Sequence, residues 1–172
     1  MEAFKKLIPS FACKEGRAII RDYGEEYYSD DIITLSRFYS DNGADELLIH
    51  DISESDEDHE RTIGIIKAVA GAVDIPIIAG GRVKRLEDIK KYLYAGAKAA
   101  FLDVSVDENI DLIKEAADRF GSEKTYAYLP DFGYLSRVEE FGQLGASCMI
   151  LDIPNPDNEQ LHDISMHQAE FL

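Results

Sequence analysis

Three stretches of the chain share one design: GADELLIHDIS from Gly43, GAKAAFLDVS from Gly96 and GASCMILDIP from Gly145. Each closes a helical pattern with Gly-Ala and then runs through apolar residues to an aspartate, Asp51, Asp103 or Asp152. The intervals between copies are 53 and 49 residues, longer than a solenoid repeat and about the length of two strand–helix modules. Strands that alternate with helices of this size pair in parallel, because each return passes through a right-handed crossover. The repeat therefore predicts an α/β barrel-type fold grown by duplication.

The rest of the chain follows the same rhythm. Residues 6–12 read as a strand, Gly16 as a tight turn and 17–21 as a short second strand. SDDIITLSRFYSDNGA reads as a helix with Ser29 or Asp30 as its N-cap, Ile32, Ile33, Leu35 and Phe38 on one face, and Gly43 as its stop. ELLIHDI, IPIIAGG, KAAFLDV, KTYAYLP and SCMILDI read as strands, and the segments between them as helices. The expected fold is a partial (βα)8 TIM-barrel-type domain of about six parallel βα units over residues 1–153. A polar tail with a weak helical pattern, or the start of a continuation, occupies 154–172.

The chain of 172 residues carries 18 basic and 34 acidic residues, a formal charge of −16. Coulomb repulsion at that charge argues against nucleic acid and anionic membranes as partners. No apolar run reaches the length of a membrane span, and the apolar run before Cys13 is too short for a signal peptide, so the expected location is cytoplasmic. Cys13 and Cys148 fall in apolar strands and read as reduced, buried thiols. The acidic run SESDEDHE, residues 53–60, reads as a solvated loop. His50, His59, His162 and His167 lack metal-ligand spacing, so neither a metal nor a cofactor is expected.

Four segments carry a family resemblance: KKLIPSFACKEGRAII, FYSDNGADELLIHDIS, VDIPIIAGGRVKRLEDIKKYLYAGA and VDENIDLIKEAADRFGSEK. In order and spacing they resemble the paired barrels of histidine biosynthesis, namely the cyclase subunit of imidazole glycerol phosphate synthase and its sister, the phosphoribosylformimino-aminoimidazole carboxamide ribotide isomerase. The resemblance runs from about Ala3 to Ile153. It implies acid–base chemistry on a phosphoribosyl ligand by two aspartates, one ending the first strand and one ending the fifth. This chain has Ala12 and Pro130 at those positions. The carboxylates left as candidates are Asp51, Asp103 and Asp131, the last displaced by one residue onto the other strand face. The resemblance also implies a phosphate cradle at Gly80 and Gly81, where a third family glycine is Arg82, and at Asp103-Val104, where the family has Asn-Thr. Residue by residue, the blander readings are that Asp51 caps its loop and that Gly80, Gly81 and Arg82 form a turn with a solvated arginine.

The sequence given stops after what would be the sixth barrel strand. Open strand edges and an apolar interior need cover, so the expectation is a homo-oligomer or a following domain. The resemblance extends to the N-terminal region of some bifunctional phosphoribosyl-AMP cyclohydrolase/phosphoribosyl-ATP pyrophosphohydrolases. Two functional expectations follow. One is an inactive barrel domain serving assembly or weak phosphosugar binding. The alternative is an active cyclase- or isomerase-like enzyme with rearranged carboxylates.

Overall fold

The computed structural model describes residues 5–22 and 24–172, so residues 1–4 of the expected 1–153 domain and Tyr23 lie outside it. The chain forms two compact units, residues 1–82 with 90–98, and 83–89 with 99–172. The first holds β1 (Ser10–Lys14), β2 (Arg17–Asp22), β3 (Glu25–Ser29), α1 (Ile32–Asp41), β4 (Leu47–Asp51), α2 (Asp56–Ala70) and β5 (Ile77–Gly80). α3 (Leu86–Ala95) is divided between the units. The second unit holds β6 (Ala99–Asp103), α4 (Asp107–Phe120), β7 (Thr125–Leu129), a 3-10 helix (Phe132–Arg137), α5 (Val138–Leu144), β8 (Cys148–Leu151) and α6 (Asn158–Ser165).

In the first unit the strand order is β3-β2-β1-β4-β5, with β1, β4 and β5 parallel and β1-β2-β3 antiparallel. In the second, β6, β7 and β8 are parallel neighbours. Among the described residues eight strands, most of them parallel and alternating with helices, give the partial (βα)8 architecture that the repeat predicts.

The repeat has a physical basis. Gly43, Gly96 and Gly145 all sit at positive φ, 91°, 117° and 118°, where a side chain is strained. At Gly96 and Gly145 a second reason applies. A Cβ there would lie 2.7 Å from Ala70 of α2 and 2.5 Å from Ala117 of α4, respectively. Each glycine thus ends its helix and lets the preceding helix pack close.

Several boundaries differ from the sequence reading. β1 begins at Ser10 rather than residue 6, since Pro9 has no N–H to give a ladder. The hairpin loop is Glu15-Gly16, with φ of 52° and 76°, both positive as a two-residue β-hairpin turn requires, and it leads into β2. β3 was absent from the sequence reading. Its residues Glu-Glu-Tyr-Tyr-Ser show no apolar alternation, and Tyr27 and Tyr28 are exposed. The N-cap of α1 is Asp31, not Ser29 or Asp30: its carboxylate accepts from Thr34 N (3.0 Å) and Thr34 Oγ1 (2.7 Å). The segment read as one helix from Gly133 starts as the 3-10 turn and becomes α-helical at Val138.

The acidic run is the clearest correction. Residues 53–60 are not a solvated loop, because α2 begins at Asp56, capped by Ser55 Oγ accepting from Asp58 N (3.1 Å). Three acids in its first turn favour the positive end of the helix dipole. Asp58 and His59 are buried.

Candidate functional site

Register assigns the strand-end residues to opposite faces. Ala12 of β1 pairs with His50 of β4, and His50 with Gly80 of β5, while Cys13 pairs with Asp51. Side chains alternate along a strand, so Ala12, His50 and Gly80 share one face and Cys13 and Asp51 share the other. The second face is the one α2 and α3 cover. Thr62 Oγ1 of α2 lies 3.6 Å from Cys13 Sγ, and His59 Nδ1 lies 2.7 Å from Asp51 Oδ2.

Asp51 is 1% exposed and fully engaged. It accepts from Ser53 N (3.0 Å), Ser53 Oγ (2.5 Å) and Tyr92 Oη (2.8 Å), besides its contact with His59. Burial pushes its carboxyl up, but the hydrogen bonds from His59, Ser53 and Tyr92 outweigh that and hold it below the usual carboxylate range. Burial pushes the Cys13 thiol up to about 11 against the opposing bond from Thr62, which leaves an unreactive thiol beside this cluster.

The cradle candidates lie nearby in the same unit. Gly81 sits at φ 114°, and a Cβ there would come within 2.6 Å of the Asp51 carbonyl and 2.8 Å of His50 Nε2. Close packing against the end of β4 accounts for this glycine. Arg82 is not solvated: its side chain is 10% exposed and Nη2 lies 2.7 Å from Asp56 Oδ1.

Asp103, the last residue of β6, and Asp131, at the head of the 3-10 helix, belong to the second unit, and each is committed to its own local backbone. Asp103 accepts from Ser105 N (2.9 Å) and Ser105 Oγ (2.6 Å), the same turn that Asp51 makes with Ser53. In the third copy of the repeat the serine is replaced by Pro154, and Asp152 instead accepts from Tyr128 Oη. Asp131 caps the 3-10 helix by accepting from Gly133 N (2.7 Å). Val104, after Asp103, is buried.

Sequence reasoning passed over two clusters. His59 and Tyr92, which complete the Asp51 network, were hidden in an apparent loop and in a helix stripe. The second cluster is an ion triad at the strand starts. Glu46 is 4% exposed, and its Oε1 accepts from Lys6 (2.8 Å) and Lys98 (2.6 Å). Burial raises its carboxyl, but the two lysines pull it below its ordinary value. A signal existed. Glu46 and Lys98 each precede a repeated strand immediately, five residues before Asp51 and Asp103, with opposite charges.

A family model described as "Histidine biosynthesis protein" matches residues 6–130. The chain belongs to this family. Its relatives include imidazole glycerol phosphate synthase subunit HisF of Exiguobacterium sp., 38% identical over 126 residues, which are 69% of this chain and 47% of the relative. The subunit HisF of Halalkalibacterium halodurans is 39% identical over 69% of this chain and 48% of its own length. That of Methanocaldococcus jannaschii is 36% identical over 69% and 44%. The chain thus spans about half the length of the curated relatives it matches. The family match takes in Asp51, Gly80, Gly81, Arg82 and Asp103 and ends before Asp131. Among the described residues, no helix is long and apolar enough to cross a membrane.

Proposed function

We propose that this member of the histidine-biosynthesis family is a catalytically inactive barrel domain that serves assembly, with at most weak binding of a phosphorylated sugar. One observation carries the reading. The β1 face shared with His50 and Gly80 offers Ala12, whereas the nearest retained carboxylate, Asp51, is turned into the helix layer and saturated with donors. General acid–base catalysis needs a carboxylate with a free lone pair or proton facing the substrate. Asp103 and Asp131 hold their own loops, which speaks against the rearranged cyclase or isomerase site. The Arg82 guanidinium pairs with Asp56, which weakens it as an anion ligand. The two unbridged, buried cysteines fit a reducing compartment such as the cytoplasm.

Calorimetry with a phosphoribosyl-aminoimidazole ligand tests the reading. We expect no saturable binding at micromolar concentration. Micromolar binding that Arg82→Glu abolishes would overturn it.

A further inference from the structure

We infer that residues 152–172 form an exchangeable arm, which a second copy of this chain lays on the edge of β8. The edge already displays what it accepts. Met149 N donates to Glu170 O (2.8 Å), Leu172 N to Met149 O (2.8 Å) and Leu151 N to Leu172 O (3.0 Å). Phe171 pairs with Met149 in parallel, so the last three residues act as one more strand beside β8. This pairing silences main-chain groups that an exposed edge would offer to any passing strand.

Apart from that strand and its root, where Asp152 N donates to Leu129 O (3.0 Å) and the Asp152 carboxylate accepts from Tyr128 Oη, the arm is loosely held. α6 buries none of its residues, and Leu161 and Met166 are 49% and 71% exposed. An open cleft of about 340 Å³ separates it from the 3-10 helix, lined by Phe132 and Leu135 on one side and Met166 and His167 on the other. His167 Nδ1, 2.6 Å from Glu139 Oε1, is an exposed tether. Asp157 and Gln160 close a capping box at its start, so the arm satisfies these N-terminal donors from within itself. The connection is a stiff hinge: Pro154 and Pro156 flank Asn155, which sits at φ 48°.

Exchange between two copies keeps every one of these arm contacts and changes only the path of the hinge. Contacts common to both forms cannot resist it, and a hinge strained in the closed form favours it. The partner is a second copy rather than an unrelated strand, because the segment seated on β8 is the chain's own. This deepens the assembly role proposed above by naming the partner and the segment.

Sedimentation of the intact chain over a micromolar-to-millimolar series tests it. The expected result is a mass that doubles with concentration. Leu172→Pro removes the donor to Met149 O and should abolish the dimer. Pro154→Gly with Pro156→Gly relaxes the hinge without touching the core and should move the transition to roughly tenfold higher concentration. If Leu172→Pro fails to fold, the hinge variant decides alone. An intact chain that stays monomeric throughout, a Leu172→Pro variant that dimerises as before, or a hinge variant with no shift would each overturn the arm exchange. The inactive-site reading is tested separately, since catalytic turnover would overturn that reading and leave the arm exchange standing.

Discussion

Ala12 and Asp51 lie one register step apart on neighbouring strands, and that step separates two environments. On one side, the face shared with His50 and Gly80, stands the methyl group of Ala12. On the other, a buried carboxylate collects hydrogen bonds from a serine, a tyrosine and a histidine. A carboxylate so placed contributes stability through its charge. Its folded-state pKa lies below its unfolded value, as does that of Glu46. The contribution is therefore complete above the unfolded value of about 4 and is lost as pH falls through the folded one. Urea midpoints should hold steady from neutral pH down to about 5 and fall below about 4. Asp51→Asn leaves an amide where donors converge, and should lower stability at neutral pH by about 3 kcal/mol. Its deficit should shrink in acid. A variant as stable as the parent at pH 7 would show that Asp51 is not the structural carboxylate described.

Strands and helices were legible wherever apolar periodicity and a glycine stop agreed. The three Gly-Ala strands stand where the repeat puts them, because positive φ and helix contact demand glycine at Gly96 and Gly145. Legibility failed where polar residues do structural work. The run at 53–60 looks like a loop by composition, yet Ser55 and the acids behind it are a helix start, and partners bound elsewhere in the chain absorb the charge: Lys14 for Glu54, Arg82 for Asp56, Lys91 for Glu60. β3 was invisible because a hairpin edge can be built from glutamates and tyrosines whose side chains stay in solvent. The candidate site was legible as residues but not as directions. Sequence picked out Asp51, whereas only the β1–β4 register shows which face it serves. Gly81 gives a test between these elements. Gly81→Ala places a Cβ against the Asp51 carbonyl at an unfavourable φ, and should cost about 3 kcal/mol. A thermal midpoint unchanged by that substitution would contradict the close approach of the β5 loop to β4.

With 34 acidic and 18 basic residues, the chain works against its own charge. Added salt, which shortens the Debye length to about 8 Å at physiological strength, should raise the thermal midpoint by screening that repulsion. A midpoint that falls with salt would mean that the surface ion pairs outweigh it. Family membership rests on residues 6–130, and that span keeps the strand frame, the Glu15-Gly16 turn and the helix stops. It lacks an acid at Ala12. The most direct measurement is a turnover assay with the phosphoribosyl-aminoimidazole ligand on the intact chain and on Ala12→Asp. On the inactive reading proposed above neither should turn over, because a single carboxylate introduced at residue 12 would still leave Pro130 where a second acid–base group is needed. Turnover by the intact chain that Asp103→Asn or Asp131→Asn abolishes, with the fold kept, would contradict the inactive reading outright.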